Sequence, residues 1–275
     1  GATRALRTLQ CAAVPCRRRP RSDIRFMFEI SRIFPELEKP DALQELAATF
    51  SVTRPVVIFA ISARVGSTGL LSLLSCKFGF SFIFEIFNPR GVADAIARDN
   101  NLPTFEAYLR HIDRTMIGEI LAFKVSWNDF EFLDQSDAFR AIFPNARFIY
   151  LDRVDLEAQA MSLYIASTTQ VWHVPLDVDK QEQRDLKYDR YRIDGLLRHL
   201  QATKMSWMKF FGRNKMVPLT LYYEAIRNCA QHALLAICRE SGIQNVTLDD
   251  MPDWQDGKFG LTSNDGTEAL LRQYL

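Results

Sequence analysis

Short apolar runs alternate with longer amphipathic stretches from Arg54 onward. The runs predict five β-strands, at Val56–Ile61, Phe82–Phe84, Leu121–Val125, Arg147–Leu151 and Val217–Tyr222. The first and fourth runs are apolar on both faces, which is typical of central parallel strands that helices cover on two sides. In a sheet of this kind, ligands bind beyond the carboxyl ends of the central strands. The residues after Ile61 and Leu151 are therefore the first place to look for a site.

The stretches between these runs have helical periodicity. They predict helices at Ser67–Phe78, Val92–Asp99, Thr104–Thr115, Asp134–Phe143, Asp155–Gln170, Tyr188–Phe211 and Ala225–Ser241. The helix ending at Phe211 carries the clearest apolar stripe, which includes Trp207 and Met208, and Gly212 follows it at the position of a C-terminal cap. The alternation of strands and helices predicts an α/β protein with three α/β/α layers around a central, mainly parallel sheet.

The chain before Asp23 differs in composition, since it contains six arginines and no acidic residue. This bias predicts a solvated extension, with a targeting peptide or a basic arm as the alternatives. A helical pattern follows at residues 24–50. We therefore divide the chain into a basic N-terminal extension with a helix, residues 1–53, and an α/β domain, residues 54–275.

Composition excludes several kinds of partner and site. The formal net charge of +1 over 275 residues gives no overall attraction to nucleic acid, so any anion site needs a local group of cations. The five cysteines form no C-x-x-C pair and the four histidines have no zinc-ligand spacing, which predicts reduced thiols, a cytoplasmic protein and no metal. No apolar run reaches the length of a membrane span.

The segment after Ile61 reads Ser-Ala-Arg-Val-Gly-Ser-Thr and leads into a helix. Backbone N–H groups of Val65–Thr68 and the hydroxyls of Ser67 and Thr68 would point from the start of that helix toward an anion. Arg64 adds a permanent cation whose planar fork suits phosphate or sulfate oxygens. The residues indicate an anion-binding loop, and an ordinary strand-to-helix turn remains the alternative.

A Walker-type loop needs a lysine directly before its Ser or Thr, and this chain has Gly66 there. The run Phe148–Asp152 does resemble a Walker B strand, so a nucleotide-dependent small-molecule kinase stays open. Arg153 follows the fourth predicted strand as Arg64 follows the first. Two cationic strand ends predict a ligand that is negatively charged at two separated points.

Four segments in order carry a family resemblance. They are SARVGST (62–68), FEIFNPRG (84–91), FKVSWND (123–129) and DRVDLEAQAMSLYIASTTQVW (152–172). Together they resemble the sulfotransferases that use 3′-phosphoadenosine 5′-phosphosulfate (PAPS), in the trehalose-2-sulfotransferase-like branch that is akin to nodulation-factor sulfotransferases. The resemblance implies transfer of a sulfuryl group from PAPS to a hydroxyl of a carbohydrate or glycolipid, without a metal. It also implies a homodimer.

The resemblance implies a role for each matched residue. The 5′-phosphosulfate would lie on the loop and the 3′-phosphate on the segment after the fourth strand, which gives the cofactor-binding residues Ser62, Arg64, Val65, Gly66, Ser67, Thr68, Arg153 and Ser162. Glu85 would be the base that takes the acceptor proton, with Arg64 as the second catalytic residue. The acceptor would contact Glu85, Phe87, Asn88, Lys124, Trp127 and Trp172.

The chain departs from the family pattern at Ala63, Val154 and Ala158, so a contact to the sugar could be lost at Ala63. In the tail Asp253–Leu275, Lys258 is the one candidate for a basic contact to the 3′-phosphate. The loop residue His173 is the alternative base. A relative that binds nucleotide or sugar without turnover is the alternative that is not an enzyme.

Overall fold

The computed structural model describes residues 29–74, 78–83, 85–134, 138–170, 172 and 188–252. Within these residues, five strands form one sheet in the order β2-β3-β1-β4-β5, and every neighbouring pair is parallel. The strands are β1 (Val56–Ile61), β2 (Phe80–Ile83), β3 (Ile120–Ser126), β4 (Ala146–Asp152) and β5 (Leu219–Tyr222). The first and fourth predicted strands are therefore central, as their apolar faces indicated.

The helices of the described residues follow the predicted alternation in most places. They are α1 (Ala42–Thr49), α2 (Ser67–Leu74), α3 (Val92–Asp99), α4 (Phe105–Thr115), α5 (Trp127–Asp134), α6 (Phe139–Ile142), α7 (Leu156–Thr169), α8 (Arg190–Arg213), α9 (Tyr223–Asn228) and α10 (Ala230–Glu240). Short 3₁₀ turns occupy Glu29–Arg32, Pro35–Glu38 and Leu248–Asp250. No described helix is both long and apolar enough to cross a bilayer.

Successive residues of β1 point to opposite faces of the sheet and enter different cores. Val56, Ile58 and Ala60 pack with residues of α1, α3, α4, α5, α6 and α8. Val57, Phe59 and Ile61 pack with residues of α2, α9 and α10 on the other face. The predicted three-layer α/β/α fold is confirmed. Residues 29–52 belong to the same structure, because Phe34, Leu46 and other apolar residues of that segment are buried in the first core.

Strand register places the candidate residues at one edge of the sheet. Ile61, the last residue of β1, pairs with Ser126 of β3 and with Leu151 of β4. The three central strands therefore end at the same level, and the residues that follow each of them emerge side by side.

Three helix predictions are wrong in their limits. The helix expected at Asp134–Phe143 is replaced by α5, which begins seven residues earlier at Trp127, and by the single turn α6. The early start is possible because the Ser126 hydroxyl, at the end of β3, accepts a hydrogen bond from the Asp129 N–H at 3.4 Å. The helix expected at Ala225–Ser241 is interrupted at Cys229, whose φ of −142° is not helical. Gly212 lies inside α8 instead of capping it, and Met208 is exposed.

Candidate active site

The loop between β1 and α2 is held in an unusual backbone conformation. Arg64 has a φ of 66° and Gly66 a φ of 74°, both in the left-handed region that L-residues other than glycine rarely adopt. Val65 is buried in the loop, and Ser67 begins α2, so the loop leads directly into a helix N-terminus, where backbone N–H groups suit an anion. Buried Gln159 of α7 donates to Ser62 Oγ at 2.9 Å and to the Ala63 carbonyl at 2.6 Å, which fastens the loop to the neighbouring helix.

The side chain of Arg64 turns toward α7. Its Nε donates to Ser162 Oγ at 2.9 Å, and its Nη1 donates to the carbonyl of Trp172. Burial lowers the pKa of Arg64, and the positive charge of Arg153 lowers it further. The two arginines therefore lie close together with Ser162, on the side of the site that was assigned to the 3′-phosphate.

Arg153 follows β4 and has a buried donor without a partner. Its guanidinium lies over the ring of Tyr223, with 4.4 Å from Cζ to the ring centroid. Burial lowers the pKa of Arg153, and its Nε makes no hydrogen bond with any described residue. A buried cationic N–H without an acceptor is costly, so this atom suits an anionic ligand.

Two side chains that the sequence analysis missed fix the backbone around Arg153. Lys204 of α8 forms an ion pair with Asp152 at 2.7 Å and donates to the Arg153 carbonyl. Glu224 of α9 accepts hydrogen bonds from the N–H groups of Val154 and Asp155, at 3.1 and 3.2 Å. Burial acts to raise the pKa of Glu224, but these hydrogen bonds and the charge of Arg153 outweigh it and lower the pKa. The position of Glu224 just after β5 was a usable signal, and so was the helical spacing that places Lys204 on the apolar stripe between Leu200 and Trp207.

Glu85 is joined to the anion loop through a lysine. The Glu85 carboxylate lies 3.0 Å from Lys124 Nζ, and Asn88 donates to its other oxygen at 2.9 Å. Lys124 is only 4% exposed and also donates to Thr68 Oγ1 at 3.1 Å. The backbone of Glu85 has a φ of 52°, so it is a second non-glycine residue of the site in the left-handed region. A strained backbone conformation of this kind persists only where many surrounding contacts hold it in place, and such residues are common in active sites.

A second carboxylate, Asp129, belongs to the same corner of the site. The Ser126 hydroxyl donates to Asp129 Oδ2 at 2.7 Å. Burial raises the pKa of Asp129 to about 6, the hydrogen bond from Ser126 opposes this, and the charge of Glu85 adds to it. Asp129 stood inside the segment FKVSWND, but the sequence analysis gave it no role.

The structure separates the aromatic candidates. Phe87 is fully buried and packs on Phe105, Phe123 and Phe132. Trp127 is buried against Trp207 of α8, and Trp172 is 42% exposed. Phe87 and Trp127 are therefore parts of the core, whereas Trp172 is accessible to solvent. His173 and Lys258 lie outside the described residues.

The arrangement suits a nucleotide that carries anionic groups at two points. One cationic centre is Lys124 with Thr68 at the start of α2, and the other is the pair Arg64 and Arg153 with Ser162. The unpartnered Nε of Arg153 is a donor that an anionic group of a ligand would satisfy. Within the described residues, no group of three or more His, Cys, Asp or Glu side chains could hold a metal ion.

Comparison with known proteins finds one family that resembles part of the chain. Residues 128–262 match the Stf0 sulphotransferase family model. No curated protein matches the chain.

Sulfotransferases are also found among similar solved structures. A sulfotransferase from Alicyclobacillus acidocaldarius has a TM-score of 0.47 at 16% identity, over 81% of this chain and 91% of that one. The sulfotransferase domain of the Synechococcus PCC 7002 olefin synthase has a TM-score of 0.43 at 13% identity, over 82% and 96%. A Mycobacterium avium sulfotransferase has a TM-score of 0.40 at 13% identity, over 90% and 74%. Residues 128–262, just under half of the chain, are thus similar to the Stf0 sulphotransferase family, and this match supports a sulfotransferase enzyme.

Proposed function

We propose that the protein transfers the sulfuryl group of PAPS to a hydroxyl of a carbohydrate or glycolipid. One observation carries the proposal: buried Lys124 contacts both the Glu85 carboxylate and the Thr68 hydroxyl. This contact brings the Glu85 carboxylate next to the loop that would hold the phosphosulfate, which supports Glu85 as the base. A base, a cation and an anion loop in contact are the parts that transfer to a hydroxyl requires.

Side chains of this protein can remove the acceptor proton and stabilise the charge of the leaving phosphate. PAPS supplies an activated sulfuryl group. Glu85 takes the proton of the acceptor hydroxyl while the oxygen forms its bond to sulfur and the bond between sulfur and the phosphate oxygen breaks. Lys124, Thr68 and the N–H groups at the start of α2 stabilise the negative charge that grows on the departing phosphate.

The acceptor is proposed from the resemblance to trehalose-2-sulfotransferases and from the polar groups near Glu85. Asn88 and Arg90 lie on the turn after Glu85, and Asp129 approaches from α5. Amide, guanidinium and carboxylate groups are suited to sugar hydroxyls because together they offer donors and acceptors. The cytoplasmic location and the homodimer stay predictions.

Nucleotide binding tests the donor. We expect 3′-phosphoadenosine 5′-phosphate to raise the melting temperature in the absence of Mg²⁺, because the two cationic centres meet its two phosphates directly. ATP with Mg²⁺ is the control, and it should give a smaller shift or none. A larger shift with ATP and Mg²⁺ would support the kinase alternative and overturn the assignment of PAPS.

Glu85→Gln tests the enzyme claim. Glutamine keeps the shape and can still accept from Lys124, but it cannot take a proton. Turnover of labelled PAPS with the acceptor found by a screen of sugars and glycolipids should fall roughly 10²–10⁴-fold, the usual contribution of a general base. The affinity for 3′-phosphoadenosine 5′-phosphate should stay within about twofold.

Glu119→Gln is the matched control, because Glu119 is exposed and directly precedes β3, at the end opposite the site. It should leave turnover unchanged. Near-normal turnover of Glu85→Gln would exclude Glu85 as the base and direct the search to His173. Nucleotide binding by the unaltered protein without turnover on any acceptor would favour the binder that is not an enzyme.

A further inference from the structure

Gln159 is a fully buried polar side chain of α7 that contacts the anion loop (62–68), and the mechanism above gives it no part. We propose that Gln159 is a positioning residue of the donor site, which holds the anion loop in the shape that receives the phosphosulfate of PAPS. This inference rests on the proposed function, because it takes the loop as the phosphosulfate site. It concerns the 5′ end of the nucleotide and does not concern Glu85 or the acceptor.

The amide nitrogen of Gln159 contacts two successive residues of the loop. It lies 2.9 Å from Ser62 Oγ and 2.6 Å from the Ala63 carbonyl oxygen. Because a carbonyl oxygen can only accept, Ala63 requires the nitrogen of the amide to face the loop. Ser62 is only 1% exposed, so water does not readily replace this donor. The amide therefore fixes the backbone directly before the left-handed Arg64.

The oxygen of the same amide has no partner. Gln159 Oε1 is buried and makes no hydrogen bond with any described residue. An unpaired buried carbonyl costs free energy, so an apolar side chain of the same length would avoid this cost. We therefore look for the contribution of Gln159 in its nitrogen, whose contacts among the described residues are with the loop.

Other buried side chains hold the loop residues on either side of these contacts. Trp207 Nε1 donates to the Ile61 carbonyl at 3.2 Å. Ser162, which lies one turn after Gln159 on α7, accepts from Arg64 Nε at 2.9 Å. Each residue from Ile61 to Arg64 is thus tied to α7 or α8, and Gln159 holds the two in the middle. A loop that is fixed before the ligand arrives loses less entropy when it binds.

Gln159→Met tests the inference, because methionine has the same length and no donor. The dissociation constants of 3′-phosphoadenosine 5′-phosphate and of adenosine 5′-phosphosulfate should both rise about tenfold, since the loop would have to be ordered on binding. Their ratio should stay the same, because the Arg153 segment keeps its own contacts to Lys204 and Glu224. Calorimetric titration well below the melting temperature of each protein measures both constants.

Hydrogen–deuterium exchange without nucleotide measures the loop directly. In Gln159→Met, the backbone amides of residues 62–68 should exchange about tenfold faster, while those of β5 keep their rate. A purely structural role for Gln159 would lower the melting temperature and speed exchange throughout the sheet, and it would overturn the inference.

Ser62→Ala removes one of the two acceptors and keeps the other. Both dissociation constants should rise by a smaller factor, about threefold. The protein that combines both substitutions should bind as Gln159→Met does, because Gln159→Met already removes the contact to Ser62. If Gln159→Met does not fold, the equal rise for the two nucleotides in Ser62→Ala decides the question.

Gln201→Met is the matched control, since Gln201 is exposed on α8. It should change neither dissociation constant and leave the exchange of the loop as it is.

Two failures can be told apart. If the unaltered protein binds neither nucleotide, the donor is wrongly assigned and the inference fails with it. If the unaltered protein binds both, but Gln159→Met leaves both constants unchanged or changes only one of them, the donor stands and the role of Gln159 is overturned. Faster exchange of the loop with unchanged affinity would also overturn it.

Discussion

Arg153 depends on a backbone that other side chains hold. Glu224 accepts from the two N–H groups that follow Arg153, and the ring of Tyr223 lies under its guanidinium. The Nε of Arg153 is buried without a partner in the described structure. The residue is therefore fixed in place and still has hydrogen-bonding capacity for a ligand, which is the pre-organisation that lowers the entropic cost of binding.

Arg153→Ala should weaken the binding of 3′-phosphoadenosine 5′-phosphate. A charge-assisted contact to phosphate contributes about 1.5–3 kcal/mol, so the dissociation constant should rise about tenfold to a hundredfold. Adenosine 5′-phosphosulfate has no 3′-phosphate, and its binding should hardly change. Calorimetric titration of both nucleotides measures the difference.

Arg227→Ala serves as the control, since Arg227 is an exposed arginine whose charge also reaches Arg153. It should change the binding of neither nucleotide by more than about twofold, as is usual for exposed charges. An equal loss for both nucleotides in Arg153→Ala would show that the residue is structural or contacts the 5′ end.

At the scale of elements, one face of α8 contacts the ends of β1 and β4. Trp207 Nε1 donates to the carbonyl of Ile61, the last residue of β1, at 3.2 Å. One turn earlier, Lys204 pairs with Asp152 at the end of β4. Positions three apart lie on the same side of a helix. Helix α8 therefore sets the distance between the anion loop and the Arg153 segment.

Lys204→Met should make the position of the Arg153 segment relative to the anion loop less fixed. Methionine keeps the apolar stem but leaves the half-buried Asp152 carboxylate without its cation, which should lower the free energy of unfolding by about 1–3 kcal/mol. Binding of 3′-phosphoadenosine 5′-phosphate should weaken more than that of adenosine 5′-phosphosulfate, because Lys204 also holds the Arg153 carbonyl. Urea denaturation and titration of the two nucleotides measure the two effects.

Lys209→Met is the matched control on the same helix, because Lys209 is exposed. It should change neither quantity appreciably. If both nucleotides weaken equally in Lys204→Met, the helix supports the sheet without setting the spacing of the site.

At the scale of the whole molecule, parallel pairing brings together residues that lie far apart in sequence. Because β1, β3 and β4 end at the same level, the segments after Ile61, Ser126 and Leu151 meet at one edge. That meeting could be predicted, since apolar runs alternating with helices imply a parallel sheet whose carboxyl ends face one way. The anion loop, Arg153, Glu85 and Lys124 were proposed as site residues by this reasoning together with the family resemblance.

The remaining features of the site could not be predicted, because they depend on tertiary contacts and not on the local sequence pattern. Helical spacing places Lys204 on the apolar stripe of α8, but its partner Asp152 is defined only once the helix packs on the sheet. Phe87 and Trp127 were expected at the acceptor because they flank polar motif residues, yet both rings enter the core. The limits of α5 were missed because its aromatic residues fit the end of a strand as well as the start of a helix.

The burial of Asp129 affects the stability of the folded protein and makes that stability depend on pH. Its pKa rises from 3.8 to about 6 in the folded protein. Between these two values, the folded state binds more protons than the unfolded state, so this residue makes the free energy of unfolding fall as pH increases. The full cost is present above about pH 6 and disappears below about pH 4.

Asp129→Asn should therefore give a more stable protein at pH 7, by about 1–2 kcal/mol, because asparagine carries no charge to desolvate. The advantage should shrink as pH falls and vanish near pH 4, which urea denaturation of both proteins at several pH values would show. A constant difference across this range would contradict the expectation. At neutral pH, the buried charge of Asp129 therefore makes the unaltered protein less stable than an uncharged side chain at this position would.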